Sequence, residues 1–555
     1  MNSTILKLCL PLFGLFVAFA IGEVSLRLFV TATAADAVEE GAPAKVGLMR
    51  EDELTEWYPR EGQTHERIGP DGKPFQLRIN STGQRGTEIG KRAPAELRLL
   101  FLGDSFTMAH GLPQEDTFVG RTEGLLAQQL PFPTTTINGG VNGYSTVQEL
   151  AYYRYFGRRL QPDVVVLCFF LGNDFRDNMI GTRQGRSINP ALIPTFERFV
   201  MRHKEPFLRR GDTALRDPIS GDLVLAPQAP WLQAVERHSF LARLLGSRYD
   251  SALGKWTSDI SLLDRHSRYH FYEIGLFQQR TEGLFQTAIE LTHEAVRQLQ
   301  LMVAEDGAEL VVVLLPSLHQ VDEEGWRRTL AQLGVAEGAL ASLDKQYPNR
   351  LMTDFCSERG IPVLDLYPSF ATAPDPSKLY TAAIDDRHFS AAGQARSADA
   401  MAEFLAARMS SPFHQAMQAY RSGLQSMDLK RTAAAERALL NALSLRPQWS
   451  APHIALGELY HQLGALQKAA HHFNEAIALN PDSWRAREGF AEVCVTGGDL
   501  DNALQAYLQA LKLRPAWCAY RERLQQIHAM RGDVAAAAEH RSAVDRALAA
   551  SAHVR

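Results

Sequence analysis

The stretch LRLLFLGDSFTMAHG, residues 97–111, decides how the first part of the chain folds. Its apolar run from Leu97 to Leu102 is typical of a strand that is buried on both faces of a sheet. Gly103 ends this run, and Glu115–Leu130 then has the spacing of apolar residues expected for a helix. Ser105 therefore lies where a buried strand turns toward a helix, at the edge where open α/β sheets bind ligands. The same position also suits a serine that only caps the helix.

The residues after Ser105 alternate between strand-like and helix-like patterns. Further strands are predicted at Thr134–Asn138, Asp163–Leu171, Glu309–Leu315 and Ile361–Leu366, and helices at Ala288–Glu305 and Leu351–Glu358. This alternation predicts a flavodoxin-like, doubly wound parallel sheet in a domain over residues 96–410. Residues 178–272 interrupt the pattern and are rich in Pro, Arg and aromatic side chains, so we expect them to form an inserted cap.

The first 34 residues have the composition of a membrane or export segment. Leu8–Gly22 is almost purely apolar and follows a basic residue. Ala32–Ala34 is similar to the cleavage site of a signal peptide, whereas Glu23 and Arg27 lie one helical turn apart and favour an uncleaved anchor. We expect a single-pass anchor in the cell membrane at residues 1–34, with the bulk of the chain extracytoplasmic, in the periplasm.

Residues 35–95 connect this segment to the sheet. They are polar, with turn residues at Pro70–Gly72 and Asn80–Gly83, and Phe75–Ile79 alternates in the manner of a short strand. We expect a hairpin-like lead-in here rather than a separate domain.

Length, charge and cysteine content exclude several classes of protein. A chain of 555 residues is too long for one hydrophobic core, so two or three domains are expected. The net charge of −5 gives no indication of nucleic-acid binding. Five cysteines without CxxC spacing predict neither a disulfide framework nor a zinc site. No other metal motif and no glycine-rich phosphate loop is present, so neither a metal nor a cofactor is expected.

The last third of the chain is repetitive. Positions recur every 34 residues where proline ends a helix, glycine joins two helices, or alanine lets helices cross: Pro447, Pro481 and Pro515; Gly464, Gly498 and Gly532; Ala435, Ala469, Ala503 and Ala537. This period and composition are the pattern of the tetratricopeptide repeat. We expect two well-formed repeats, Ser450–Asp482 and Ser483–Ala516, with weaker ones beside them, in an all-α superhelix over residues 413–550. Such arrays bind partners along a concave surface, so a protein partner is predicted.

Four blocks in the α/β region resemble those of the SGNH hydrolases, also called GDSL-type esterases. They are GDSFT at 103–107, the block from Asn138 to Gly143, Gly172-Asn173-Asp174, and Asp385-x-x-His388, and they occur in the order of that family. The stretch RINSTGQRG at 78–86 also looks like the lead-in of membrane-anchored members. The sequence departs from the family motif at Phe106, where leucine is usual, a substitution that we expect to be harmless.

The resemblance implies a role for each matching residue. Ser105 would be the nucleophile, His388 the base that takes its proton, and Asp385 the acid that orients the imidazole. Asp386 is the alternative for that last role, although the x-x spacing favours Asp385. The backbone amides of Ser105 and Gly143 and the side-chain amide of Asn173 would form the oxyanion hole.

Each of these residues also has a purely structural explanation. Asn173 could cap the next helix, Gly143 could serve only a turn, and an isolated histidine such as His388 is more often a surface residue. Other histidines, including His110, have no partner at an informative spacing and are left unassigned.

The sequence thus predicts an envelope serine hydrolase that acts on carboxylic, in particular acetyl, esters through an acyl-enzyme. Its substrate is an acyl ester, with a carbohydrate alcohol as one option. An O-acetyltransferase of an envelope polysaccharide would use the same residues. The alternative from another class is a tetratricopeptide interaction protein whose hydrolase-like domain is inactive.

Overall fold

The computed structural model describes residues 48–180 and 284–542, with gaps at 53–54, 71, 94, 333–342, 382–387, 410 and 514–517. Between these ranges it describes only 182–183, 186–187, 213–216, 223–226, 276–277 and 279. The anchor predicted at residues 1–34, and most of the cap predicted at 178–272, lie outside the described residues. No helix within the described ranges is long and apolar enough to cross a bilayer.

The elements of the described residues are numbered here in chain order. The strands are β1 (Met49–Asp52), β2 (Glu56–Pro59), β3 (Thr64–Ile68), β4 (Pro74–Arg78), β5 (Leu97–Gly103), β6 (Thr134–Gly140), β7 (Val164–Phe170), β8 (Thr182–Arg183), β9 (Arg186–Ser187), β10 (Thr213–Arg216), β11 (Leu223–Ala226), β12 (Glu309–Leu315) and β13 (Val363–Asp365). The helices before the repeats are α1 (Ser105–Met108), α2 (Phe118–Gln129), α3 (Thr146–Tyr155), α4 (Asp174–Ile180), α5 (Leu284–Glu305), α6 (Leu318–Val321), α7 (Glu323–Gln332), α8 (Tyr347–Glu358), α9 (Tyr367–Ala371) and α10 (Ala391–Arg408). Those of the repeat region are α11 (Ser411–Asp428), α12 (Thr432–Leu445), α13 (Ser450–Gln462), α14 (Leu466–Leu479), α15 (Trp484–Gly497), α16 (Leu500–Leu513) and α17 (Cys518–Met530).

Five strands form one parallel sheet, which confirms the predicted α/β region. Their spatial order is β13-β12-β7-β5-β6, and every pair is parallel. Numbered by chain position, this is the flavodoxin-like order 2-1-3-4-5, in which β5 and β7 lie centrally. All seven residues of β5 are buried, because helices cover both faces of such a sheet. The carboxyl ends of β5, β6 and β7 consequently meet at one edge.

Two of the differences between predicted and observed boundaries have local reasons. The helix expected from Glu115 begins at Phe118, because the Thr117 hydroxyl accepts the Gly120 N–H at 3.1 Å and caps it. The strand expected at Ile361–Leu366 is shorter, Val363–Asp365, because it pairs only with the last residues of β12 at the end of the sheet.

The lead-in contains two antiparallel hairpins, β1–β2 and β3–β4. In β3–β4 the side chain of Leu77 is 1 % exposed and packs with Ile79 and Met108, the last residue of α1. The hairpin therefore lies against the helical turn that follows β5.

The repeat region is an all-α array of paired helices, as predicted. The pairs α13–α14 and α15–α16 match the two expected repeats. Gly464, Gly498 and Gly532 have φ values of 71°, 79° and 78° at the turns, a conformation that glycine adopts at little cost. Lys430, 34 residues before Gly464, also has a positive φ of 55°, so the same frame extends to α11–α12.

The repeats pack directly on the α/β region. Residues of α11 to α15 belong to the same hydrophobic core as β5, β7 and β12. Gly307, just before β12, has φ of 75°, and a Cβ added there would lie 2.3 Å from the Tyr420 ring. Arg297 and Asp482 form an ion pair at 2.9 Å across the same junction. Truncation before α11 would therefore expose part of the core.

Candidate active site

The turn between β5 and α1 presents Ser105 at the carboxyl edge of the sheet. Its N-cap is Asp104, whose Oδ1 accepts the Phe106 N–H at 2.8 Å, so Ser105 is the first helical residue and not the cap. Close packing requires glycine beneath this turn. A Cβ on Gly103 would lie 2.1 Å from the Thr107 hydroxyl, and one on Gly140 would lie 2.4 Å from the Met108 nitrogen.

The structure brings His388 to Ser105 across 283 positions of sequence. The Ser105 Oγ lies 2.6 Å from His388 Nε2. The His388 backbone carbonyl accepts the Thr381 N–H at 2.8 Å, and the Ser390 hydroxyl caps α10. These contacts hold the histidine segment beside the carboxyl end of β5. The distance between Ser105 Oγ and His388 Nε2 suits direct proton transfer.

Phe106 contacts the histidine ring. Its centroid lies 4.8 Å from the His388 ring, 3.9 Å from that of Phe170 and 4.9 Å from that of Phe389. A leucine at this position would offer a smaller and less planar surface to the imidazole. The aromatic side chain therefore restricts the orientation of His388.

His388 and His110 form the titratable part of this site. Burial, together with the nearby His110, lowers the pKa of His388 to about 4, so its ring is neutral and able to accept a proton at neutral pH. The His110 ring lies 6.2 Å from that of His388, and its Nδ1 is 3.4 Å from Asn142 Nδ2. Sequence spacing did not indicate that His110 lies in this site, because its ring neighbour His388 is on a distant segment of the chain.

Gly143 and Asn173 lie at the neighbouring strand ends. Gly143 has φ of 73° in the turn after β6. The start of this turn is hydrogen-bonded to β5, because the Val141 N–H donates to the Gly103 carbonyl at 2.9 Å. Asn173 follows β7 and accepts the Asp177 N–H through its backbone carbonyl at 2.8 Å. The Asn173 side-chain oxygen has no hydrogen-bond partner among the described residues, so it does not cap α4, and the side chain is hydrogen-bonded to Asp104. Asp385 and Asp386 lie outside the described residues.

Arg85 is a further residue of this region whose role the sequence did not indicate. Its guanidinium is buried and donates to the backbone carbonyls of Met108, Ala109 and Leu112. Burial lowers its pKa to about 10, and it stays charged at neutral pH. Asn138 adds a bond from Nδ2 to the Thr107 carbonyl at 2.9 Å. Arg85 and Asn138 thus satisfy the Met108 and Thr107 carbonyls at the end of α1, and Gln394 Nε2 donates to the Phe106 carbonyl at 3.2 Å.

Three buried carboxyls lie behind the same strand ends. Asp104, Glu149 and Asp174 are each 1 % exposed or less. Burial, and then repulsion from Asp177, raise the pKa of Asp104 to about 7. Burial and repulsion from neighbouring carboxyls raise the pKa values of Glu149 and Asp174 well above their usual range, which favours their protonated forms.

Comparisons with known proteins identify the repeat region. A family model of the tetratricopeptide repeat matches residues 420–483 and 454–516, so this part of the chain contains such repeats, which suggest protein–protein interaction. No curated protein matches the chain.

Solved structures match only in part. MamA (residues 41 to the end) from Desulfovibrio magneticus RS-1 is 20% identical and covers 27% of this chain and 84% of its own, at a TM-score of 0.23. YrrB, titled a TPR protein with an unusual peptide-binding site, is 19% identical; the match covers 28% of this chain and 81% of YrrB, at a TM-score of 0.23. A Thermobaculum terrenum O-GlcNAc transferase mutant is 22% identical; the match covers 21% of this chain and 23% of the transferase, at a TM-score of 0.21.

Proposed function

We propose that this protein is a serine-dependent hydrolase of the SGNH, or GDSL, type that cleaves carboxylic, in particular acetyl, esters. The observation that supports the proposal is the 2.6 Å approach of Ser105 Oγ to His388 Nε2 at the carboxyl edge of the doubly wound sheet. Burial also keeps the His388 ring unprotonated at neutral pH, the state in which it can accept the Ser105 proton.

In this mechanism the Ser105 hydroxyl donates its proton to His388 Nε2 as Oγ attacks the ester carbonyl carbon. The carbonyl oxygen becomes an oxyanion, which the amides of Ser105 and Gly143 and the Asn173 side chain stabilise. Collapse of the intermediate breaks the ester bond, and His388 returns the proton to the leaving alcohol. Water then attacks the acyl-enzyme with the same base, releasing the acid and free Ser105. A sugar hydroxyl in place of water would give the acetyltransferase variant of this proposal.

Two further residues contribute without touching the ester in this scheme. Asp385, with Asp386 as its alternative, orients the imidazole, an assignment that rests on the motif spacing. Arg85 is a positioning residue, because it binds the carbonyl end of the turn that presents Ser105.

The repeats support a second candidate, a tetratricopeptide interaction protein with an inactive hydrolase-like region. The match of a family model to residues 420–516 favours this candidate, and it is compatible with the first one. We propose that the repeats bind a protein partner, and that the chain acts in the bacterial envelope, anchored through residues 1–34 and exposed to the periplasm.

The test is acyl-enzyme trapping on the full chain. The protein is mixed with p-nitrophenyl acetate, the p-nitrophenolate burst is recorded, and quenched protein is digested and analysed by mass spectrometry. We expect an acetyl group on Ser105 that disappears in Ser105→Ala. Ser317, which also follows a strand of the sheet, provides the matched control: Ser317→Ala should retain the adduct on Ser105. A folded protein with neither burst nor adduct would favour the interaction protein.

A further inference from the structure

The β3–β4 hairpin presents one face to the candidate active site. Directly opposed residues of an antiparallel pair lie on the same face, and His65 opposes Leu77 while Arg67 opposes Phe75. Leu77 packs on Met108, two residues before His110, and Phe75 contacts the same cluster. His65 and Arg67 therefore lie on the face of the hairpin that covers α1.

Arg67 is the free positive charge on that face. Its side chain is exposed, and no carboxylate forms an ion pair with it in the described part of the chain. Arg85, the other arginine near His110, uses its donors on backbone carbonyls. Burial, and then the positive charges of Arg67 and Arg85, lower the pKa of His110, whose ring lies 6.2 Å from that of His388. Glu66 belongs to the opposite face because strand residues alternate.

We propose that Arg67 binds a negatively charged oxyanion of the substrate beside the ester cleaved at Ser105. The inference rests on the proposed function and narrows its substrate class to acyl esters of molecules with a carboxylate or phosphate. Guanidinium groups bind both anions through paired N–H donors. Arg67 lies on the face of the hairpin that covers α1, so we expect its charge to act beside the site rather than at the reacting carbon.

Matched substrates and variants test this proposal. The kcat/KM of the full chain is measured for 4-acetoxybenzoate and its neutral amide, and for 4-acetoxyphenyl phosphate and neutral phenyl acetate. In Arg67→Gln we expect a loss about fivefold larger for each anionic ester than for its neutral partner, as an exposed ion pair of about 1 kcal/mol implies. Arg67→Lys should retain part of the preference, and 0.5 M NaCl should reduce it in the wild type. The loss of kcat/KM in Arg67→Gln is then compared between the carboxylate ester and the phosphate ester, and the larger loss indicates which anion Arg67 binds.

Arg78 supplies the matched control, because it is exposed on the same hairpin but on the opposite face. Arg78→Gln should leave the anionic-to-neutral ratio unchanged. An equal loss for both esters in Arg67→Gln, or equal ratios in all variants, would overturn the proposal.

A binding measurement separates this proposal from the proposed function. Calorimetric titration of Ser105→Ala with 4-acetamidobenzoate should give a Kd that Arg67→Gln raises about fivefold. Arg67-dependent binding without any ester turnover would contradict hydrolysis and support the anion site. Turnover of neutral esters without Arg67-dependent binding would support hydrolysis and contradict the anion site.

Discussion

The turn at Ser105 and the turns of the repeats differ in how far along the chain their partners lie. Ser105 contacts a residue 283 positions away, whereas the Tyr460 hydroxyl donates to Glu436 only 24 positions away, at 2.5 Å. Phe473 packs within the array as well, so closely that a Cβ on Gly457 would lie 2.8 Å from its ring. The repeats are stabilised by neighbours in sequence, while the candidate active site depends on the assembly of the whole sheet.

The largest expected effect separates these two regions most sharply. His388→Ala should lower kcat/KM for p-nitrophenyl acetate by about 10⁴-fold or more, because the base is lost. The far-ultraviolet circular dichroism spectrum of the folded chain should be unchanged, since His388 lies outside every described helix. A residual activity within about tenfold of wild type would show that Ser105 is not activated by this histidine.

Asn173→Ala tests the oxyanion donor. Loss of one donor should reduce kcat by about 10²- to 10³-fold, while the free energy of unfolding changes only through the lost hydrogen bond between the Asn173 side chain and Asp104. The control is Asn349→Ala, which removes a buried amide that donates to Asp365 at 2.8 Å. Asp365 lies in β13, the edge strand farthest from β6 in the sheet. If both variants lose activity equally, Asn173 acts through the fold rather than on the transition state.

The pH dependence of the wild type tests the environment of His388. The reaction needs the neutral ring, and the pKa of His388 is lowered to about 4, so kcat/KM should remain near its plateau down to about pH 5. His110→Asn should move the acidic limb to higher pH, because it removes a neighbour that disfavours the charged ring. An acidic limb near pH 6.5 in the wild type would contradict this description of the site.

Glu149→Gln tests the buried carboxyls through stability. The folded-state pKa of Glu149 is raised, so its stabilising effect is complete below about pH 4.3 and is lost as pH rises toward the folded value. The gain in unfolding free energy from the neutral Gln should be greater at pH 8 than at pH 5. Exposed Glu403→Gln is the control, and an equal gain at both pH values would contradict a raised pKa of Glu149.

The smallest expected effect concerns the repeat turns. Lys430→Gly should raise the unfolding free energy by about 0.5–1 kcal/mol, because lysine has a left-handed φ of 55° there. Gly464→Ala, at the equivalent turn with φ of 71°, should lower it by a similar amount. Urea denaturation measures both, and hydrolysis should not change. A loss of stability in Lys430→Gly, or a gain in Gly464→Ala, would show that these turns do not share one geometry.

Much of the fold follows from local patterns. Glu309–Leu315 is a strand over the predicted residues, as its short, β-branched, apolar run favours a buried strand over a helix. The candidate site could be predicted only in part. The motifs marked Ser105 and His388, but not the contacts of Phe106, His110 and Arg85, because each contacts residues that become neighbours only after the sheet forms.

The sequence alone determined the repeat period, the strand and helix alternation, and the residue types available for ester chemistry. These depend on spacing within a few turns or strands, which the chain encodes directly. Only the tertiary structure decided how the charges near the Ser105 turn are placed: Arg85 donates to backbone carbonyls, and Arg67 lies on the face of its hairpin that covers α1. Burial and orientation result from packing between distant segments, and a linear pattern does not specify them.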